Sequence, residues 1–140
     1  MTVPQEYAHA SQVFDRFLDD MRVALGHGTS HQTYQTVESV LRVFRRRLTV
    51  DEALVFAAAL PAVLRAIFVM DWDIHEPRRE FFSRESLGRE VQDFRKNHDF
   101  SPDNAIAVMA SVLRRHVDPL AFDLALSKLP PKAREFWEPA

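Results

Sequence analysis

The strongest constraint on this chain is a helix-breaking device that it uses twice. Leu60-Pro61-Ala62-Val63-Leu64-Arg65 returns 69 positions later as Leu129-Pro130-Pro131-Lys132-Ala133-Arg134. Proline lacks an amide proton and its ring clashes with the preceding turn, so each box stops one helix and opens another at its first position. Such a break at a fixed interval is most simply one structural unit written twice, over 11–68 and 83–137, with 69–82 as the connector. A gapless offset of 69 gives seven identities: Leu18/Leu87, Val43/Val112, Arg45/Arg114, Arg46/Arg115, Leu60/Leu129, Pro61/Pro130 and Arg65/Arg134. What repeats is less the letters than the order of caps, apolar stripes and breaks. An offset of 70 serves the first helix better, pairing Phe17 with Leu87 and Met21 with Val91. A rival offset of 72 pairs Ser39-Val40-Leu41-Arg42 with Ser111-Val112-Leu113-Arg114, a slip of about one turn that keeps the same face.

Apolar residues recur at three and four throughout, and no period-two run is long enough for a strand, so the expected class is all-α. The predicted architecture is two tandem units of three to four helices each, packed as one pseudo-twofold bundle. The first helix is expected over 11–25, with Phe14, Phe17, Leu18, Met21 and Leu25 on one face and Gly26 ending it. The second is expected over 33–47, with Tyr34, Val37, Val40, Leu41, Phe44 and Leu48 as its stripe. Thr49-Val50-Asp51-Glu52 is a capping-box pattern, which starts the third helix near Val50. In the second unit Ser83, Ser101-Pro102-Asp103 and Asp118-Pro119 are the expected caps, and 131–137 buries Phe136 and Trp137.

Composition narrows the classes of function. With 140 residues, 46% of them hydrophobic, the chain fits a single domain with a core of its own. It has no cysteine, which excludes disulfides, thiolate nucleophiles and cysteine-held metal clusters, and suits a reducing compartment. The opening residues carry neither a basic nor an apolar segment of the secretory kind, so a cytoplasmic location is expected. The apolar run from Ala53 to Met70 approaches the length of a membrane span. Pro61 and Arg65 interrupt it and its charged twin ends at Trp137, so a buried or interface segment is expected and no span.

Paired units, Phe17-Leu18 or Ser86-Leu87 in the opening helix, an arginine-rich end to the next helix and the closing Leu-Pro boxes together resemble the bacterial domain-of-unknown-function family numbered 2267. The resemblance runs from Phe14 to Trp137 and implies an all-helical, internally duplicated, cytoplasmic bacterial protein. It implies no reaction and no catalytic residues. The first box departs from the second by carrying its aromatic, Phe68, one position late.

The repeated arginines are the first candidates for chemistry. Arg42, Arg45, Arg46, Arg65, Arg114, Arg115 and Arg134 cluster at helix ends, where cations offset the macrodipole; they are also suited to bidentate contacts with phosphate or another anion. A single-stranded nucleic-acid groove would interleave exposed aromatics with them. Phe44, Phe68 and Trp137 fall instead on apolar faces, which disfavours nucleic acid without excluding it. The six histidines lack metal-ligand spacing: Gly26 and Gly28 interrupt the helix that would align His27 with His31, and the twin positions are Lys96 and Phe100. No metal or cofactor is expected. There is no GxSxG, P-loop or GxGxxG pattern, and Asp20, Glu38, Glu52 and Asp123 are lone carboxylates, so no catalytic set can be named. Finally, the first unit's later helices are more apolar than the second's. Something has to cover Val55, Phe56, Leu60, Val63, Ile67 and Met70, either the other unit or a second chain. The leading expectation is therefore a non-enzymatic interaction or regulatory module with a protein partner or homodimer. An anion binder is the alternative, and an enzyme with an acid/base pocket between the units is a third.

Overall fold

The computed structural model describes residues 3–94 and 101–139, so Lys96 and Phe100 lie outside the described residues. Within them all regular structure is helical: α1 Gln5–Ala8, α2 Ala10–Leu25, α3 Ser30–Arg45, α4 Val50–Ala58, α5 Ala62–Val69, α6 Arg84–Asp93, α7 Ala105–Arg114, α8 Pro119–Ser127 and α9 Pro131–Phe136. No helix among the described residues is long and apolar enough to cross a membrane.

Local chemistry accounts for most of the boundaries. α2 stops at Gly26, whose φ of 71° lies in the left-handed region that glycine enters without a Cβ clash. α3 begins earlier than the apolar stripe suggests, because Thr29 and Gln32 form a full capping box. Thr49 and Glu52 form the second box at the start of α4. Ser83 and Asp118 cap α6 and α8 with their side chains, as their positions predict. Pro61 and Pro130 differ from expectation: each is the N-cap, not the first helical residue, with ψ near 155°. Either position spares an amide that would have no partner, so the break survives the shift. Ser101-Pro102-Asp103 also differs, since α7 starts only at Ala105. Both expected capping side chains are drawn into tertiary contacts instead: Ser101 Oγ lies 2.9 Å from Thr36 Oγ1, and Asp103 accepts from Gln92 Nε2 at 2.8 Å.

The helices interleave across the middle of the sequence. α2 packs on α3 and α7, α6 packs on α7 and α3, and α4 packs on α8. At the centre a ring cluster joins distant segments: Phe44 lies 4.8 Å from both Phe56 and Phe136, and Trp137 stacks on Phe56 at 5.3 Å. Aromatic pairs in such offset and edge arrangements stabilise beyond simple burial, by about 0.5–1.5 kcal/mol each. α4 and α8 begin and end 69 residues apart, and α5 and α9 begin 69 apart. Buried residues follow the same offset, with Val40 and Met109, Leu60 and Leu129, and Phe68 and Trp137 all interior. In the first helix of each half the buried pairs are Phe17 with Leu87 and Met21 with Val91, which is the offset of 70.

This packing corrects part of the interface expectation. Phe56, Leu60 and Ile67 are buried in the chain's own core. Phe122 and Trp137 cover Phe56 from the other half of the sequence, and Leu60 and Ile67 keep no more than 5% of their surface. Val55, Val63 and Met70 are half-buried at the edge of the core.

Candidate functional site

The arginines are placed by the helix ends they follow, and most of their hydrogen-bonding capacity is used inside the chain. Arg45 is buried and donates from Nη1 to the carbonyls of Phe68 (3.0 Å) and Met70 (2.9 Å), while its guanidinium lies 5.5 Å from the Trp72 ring. Burial, and after it the repulsion of Arg42, lowers the Arg45 pKa from its ordinary value. Arg114 repeats the device 69 residues on, donating from Nε and Nη2 to Trp137 O and from Nη1 to Asp123. Both therefore tie the end of a second helix to the end of the Leu-Pro segment that follows it. Arg65 turns back to the carbonyls of Ala57 (3.3 Å) and Leu60 (3.0 Å) and pairs with Glu6, whose hydrogen bond raises the Arg65 pKa. Arg134 reaches Ser127 O at 3.5 Å. These two satisfy carbonyls left open at the ends of α4 and α8, where a cation also meets the negative end of the helix dipole.

The remaining arginines form ion pairs. Arg42 lies 3.4 Å from Glu38 and 3.6 Å from Asp71. Arg46, Arg47 and Arg79 converge on Glu90, with Arg46 Nη1 at 3.2 Å and Arg79 Nη1 at 2.9 Å. Arg47, the last of the arginine run that ends the second helix, is the most enclosed of the three and also donates to Val43 O and Glu80 O. Glu80 and Glu90 come from the connector and α6, a long-range closure that no local spacing could signal. Arg115, at the end of α7, and Arg134 are the exposed members of the candidate set. Two concavities have basic walls. One of about 210 Å³ is lined by Arg45, Arg46, Trp72 and Arg78 together with Glu76. The other, of about 820 Å³, is lined by Arg47, Arg78, Arg79 and Lys132 together with Glu80 and Glu135.

Among the described residues no cluster of three or more histidine, aspartate or glutamate side chains is arranged to hold a metal ion. His27 Nδ1 meets Thr33 Oγ1 at 3.0 Å, His31 meets Gln35 at 3.1 Å, and His116 Nε2 meets Asp20 Oδ2 at 2.6 Å, bridging α7 to α2. Of the four lone carboxylates, Asp20, Glu52 and Asp123 are thus bound to His116, the Thr49 amide and Arg114, and Glu38 is bound to Arg42.

A different surface is left without an internal partner. α4 and α8 lie side by side, and each is apolar around nearly its whole circumference. Phe56 and Phe122 point inward, which turns other apolar side chains of the same helices out. Leu120 is 81% exposed, Leu124 59% and Leu54 57%, with Val50 also exposed. Between the helices runs a shallow groove of about 480 Å³ lined by Leu54, Val55, Ala58, Ala121, Leu124 and Lys128. Isolated surface leucines are ordinary, but several on two adjacent helices form the kind of continuous apolar patch that marks interaction sites. Of the residues expected at an interface, only Val55 belongs to this face; the sequence-based reading chose the neighbouring stripe.

A family model described as "Uncharacterized conserved protein (DUF2267)" matches residues 14–136. None of the curated proteins matches the chain.

Proposed function

Because the chain belongs to the DUF2267 family, whose description assigns no activity, we propose from the geometry that it is a non-catalytic protein-interaction module. Its contact surface is the α4–α8 face. The observation that carries this reading is the outward exposure of Leu120, Leu124 and Leu54 on helices whose opposite sides already fill the core. Leaving these side chains in water forgoes about 1.5–3 kcal/mol each relative to burial, a cost that a partner would remove.

The proposal includes a duplicated architecture. It is supported by the matched bounds of α4 and α8, by the packing of α2 on α7 and α6 on α3, and by the carbonyl contacts of Arg45 and Arg114 at the same spacing. In such an arrangement α4 and α8 are each other's counterparts and meet at the pseudo-twofold axis, so the exposed face is built from the same element of both halves. The anion-binding alternative is weaker, because six of its seven arginines already contact carbonyls or carboxylates.

Site-specific photo-cross-linking in cells of the native host tests the face. A photoreactive residue in place of Leu124 is expected to capture protein, whereas the same residue in place of Val23, an equally exposed apolar side chain on α2, is expected to capture none. Equal capture at both positions, or none at Leu124, would remove the α4–α8 face as the contact surface.

A further inference from the structure

A cation taken out of water normally keeps a counter-ion, because carbonyl dipoles replace only part of its lost solvation. Of the described arginines, Arg45 and Arg47 are buried, at 6% and 2% exposure. Arg47 meets the carboxylate of Glu90, whereas Arg45 is in no ion pair among the described residues. The two carbonyls that Arg45 does meet are both on Nη1. Its Nε is buried without a partner, and no hydrogen bond among the described residues engages Nη2. Nε and Nη2 form one edge of the guanidinium, the fork that a carboxylate takes with two parallel bonds. The lowered pKa of Arg45 has the same origin: burial first and the repulsion of Arg42 second, which Glu76 and Asp71 offset only in part. The repeated arginines are occupied internally as a set, but Arg45 is occupied by dipoles and keeps one edge open.

Arg45 lines the concavity of about 210 Å³ between residues 45–50 and the connector residues 72–78. Trp72, whose ring lies 5.5 Å from the guanidinium, forms a second wall, and Leu48 and Ile74 extend its apolar part. Ile74 is 55% exposed, so an apolar side chain stands in water beside a buried cation without a counter-ion. Glu76 shares the lining but lies 3.7 Å from Arg79. Arg78 shares it too, yet is exposed where water solvates its charge, so Arg45 is the cation that gains most from an anion. From these observations we infer that the concavity binds a small carboxylate with an apolar body, the carboxyl on the Nε–Nη2 edge of Arg45 and the body against Trp72, Leu48 and Ile74. Size fits one ring or a short branched chain, since an apolar cavity of about 150 Å³ accommodates benzene. A phosphate fits less well, because Leu48, Trp72 and Ile74 offer its further oxygens no donor among the side chains beside Arg45. The inference needs nothing docked on the α4–α8 face and is independent of the interaction reading.

Nitrogen-15 NMR of the full chain, titrated at constant ionic strength, tests this with three probes: benzoate, its neutral analogue benzamide, and inorganic phosphate. Benzoate is expected to shift the Arg45 Nε–H and Trp72 indole N–H signals saturably, with a dissociation constant of about 0.5–10 mM for a molecule of this size. Benzamide and phosphate are expected to leave both signals in place over the same range. Two variants, checked for folding by circular dichroism and read from the Trp72 signal, locate the site. R45K keeps the charge and loses the fork, and is expected to weaken benzoate binding at least about 5-fold. I74E sets a carboxylate on an exposed wall, where folding is not at stake, and is expected to weaken it by a similar factor. Unmoved Arg45 and Trp72 signals with benzoate, equal shifts with benzamide, or a response to phosphate in place of benzoate would each overturn the inference. So would an unchanged affinity in I74E or in folded R45K.

Discussion

Replacing Arg45 or Arg114 with methionine tests whether the repeated arginines serve the fold. Methionine keeps most of the aliphatic stem and removes the guanidinium, so the loss isolates the polar contacts. At Arg45 two carbonyls lose their donor, Phe68 O at 3.0 Å and Met70 O at 2.9 Å, in surroundings that admit little water. Hydrogen bonds from a charged donor contribute about 1.5–3 kcal/mol each, and an orphaned buried carbonyl costs about 1–3 kcal/mol. Removing the desolvation of a buried cation offsets part of this, leaving an expected loss of about 2–4 kcal/mol. At Arg114 the side chain is 29% exposed, a single carbonyl is bound, and the Asp123 pair is mostly in water. Water can replace much of that network, so the expected loss is about 1–2 kcal/mol. Urea unfolding followed by tryptophan fluorescence measures both, and at this chain length each kcal/mol corresponds to roughly 3–4 °C in Tm. If Arg114→Met costs as much as Arg45→Met, or if neither exceeds about 0.5 kcal/mol, then the carbonyl contacts do not explain why arginine stands at both positions.

Three further outcomes follow from the packing. Phe56→Ala, which opens a cavity among Phe44, Phe68, Phe122 and Trp137, is expected to cost about 3–5 kcal/mol, whereas Leu120→Ala in dilute solution should change stability by less than about 0.5 kcal/mol; chemical denaturation of both variants checks the contrast. Thr29→Ala removes the capping oxygen for Gln32 N and is expected to cost about 0.5–2 kcal/mol, measured as a lower urea midpoint with unchanged slope. Asp71 holds a φ of 53° while its carboxylate pairs weakly with Arg42, so Asp71→Gly is expected to leave Tm nearly unchanged and Asp71→Val to lower it by several degrees.

Local chemistry was the legible part of this chain. The Thr49-Glu52 box and the Ser83 and Asp118 caps needed only nearest neighbours and were read correctly. Thr29-Ser30-His31-Gln32 carries the same pattern as Thr49 to Glu52 and could have placed the start of α3 where it lies. α1 offered no such signal, because four residues cannot display a helical period. The surface was harder. α4 is apolar on all sides, so periodicity could not say whether Phe56 or Leu54 faced the core, and the choice was made by Phe122 and Trp137 from the far half of the chain. The arginines were visible as a pattern, but their acceptors, Phe68 O, Glu80 O and Trp137 O, are backbone groups brought near only by tertiary folding.

The most direct test of the α4–α8 face is methyl NMR on leucine- and valine-labelled protein at about 20 μM, with a soluble paramagnetic probe reporting exposure before and after addition of unlabelled native-host extract. The methyls of Leu54, Leu120 and Leu124 are expected to be strongly relaxed in the dilute protein and shielded once extract is added, with Val23 remaining relaxed throughout. Shielding that is uniform over the surface, or that falls on Val23 while the α4–α8 methyls stay exposed, would contradict the assignment of this face as the contact surface.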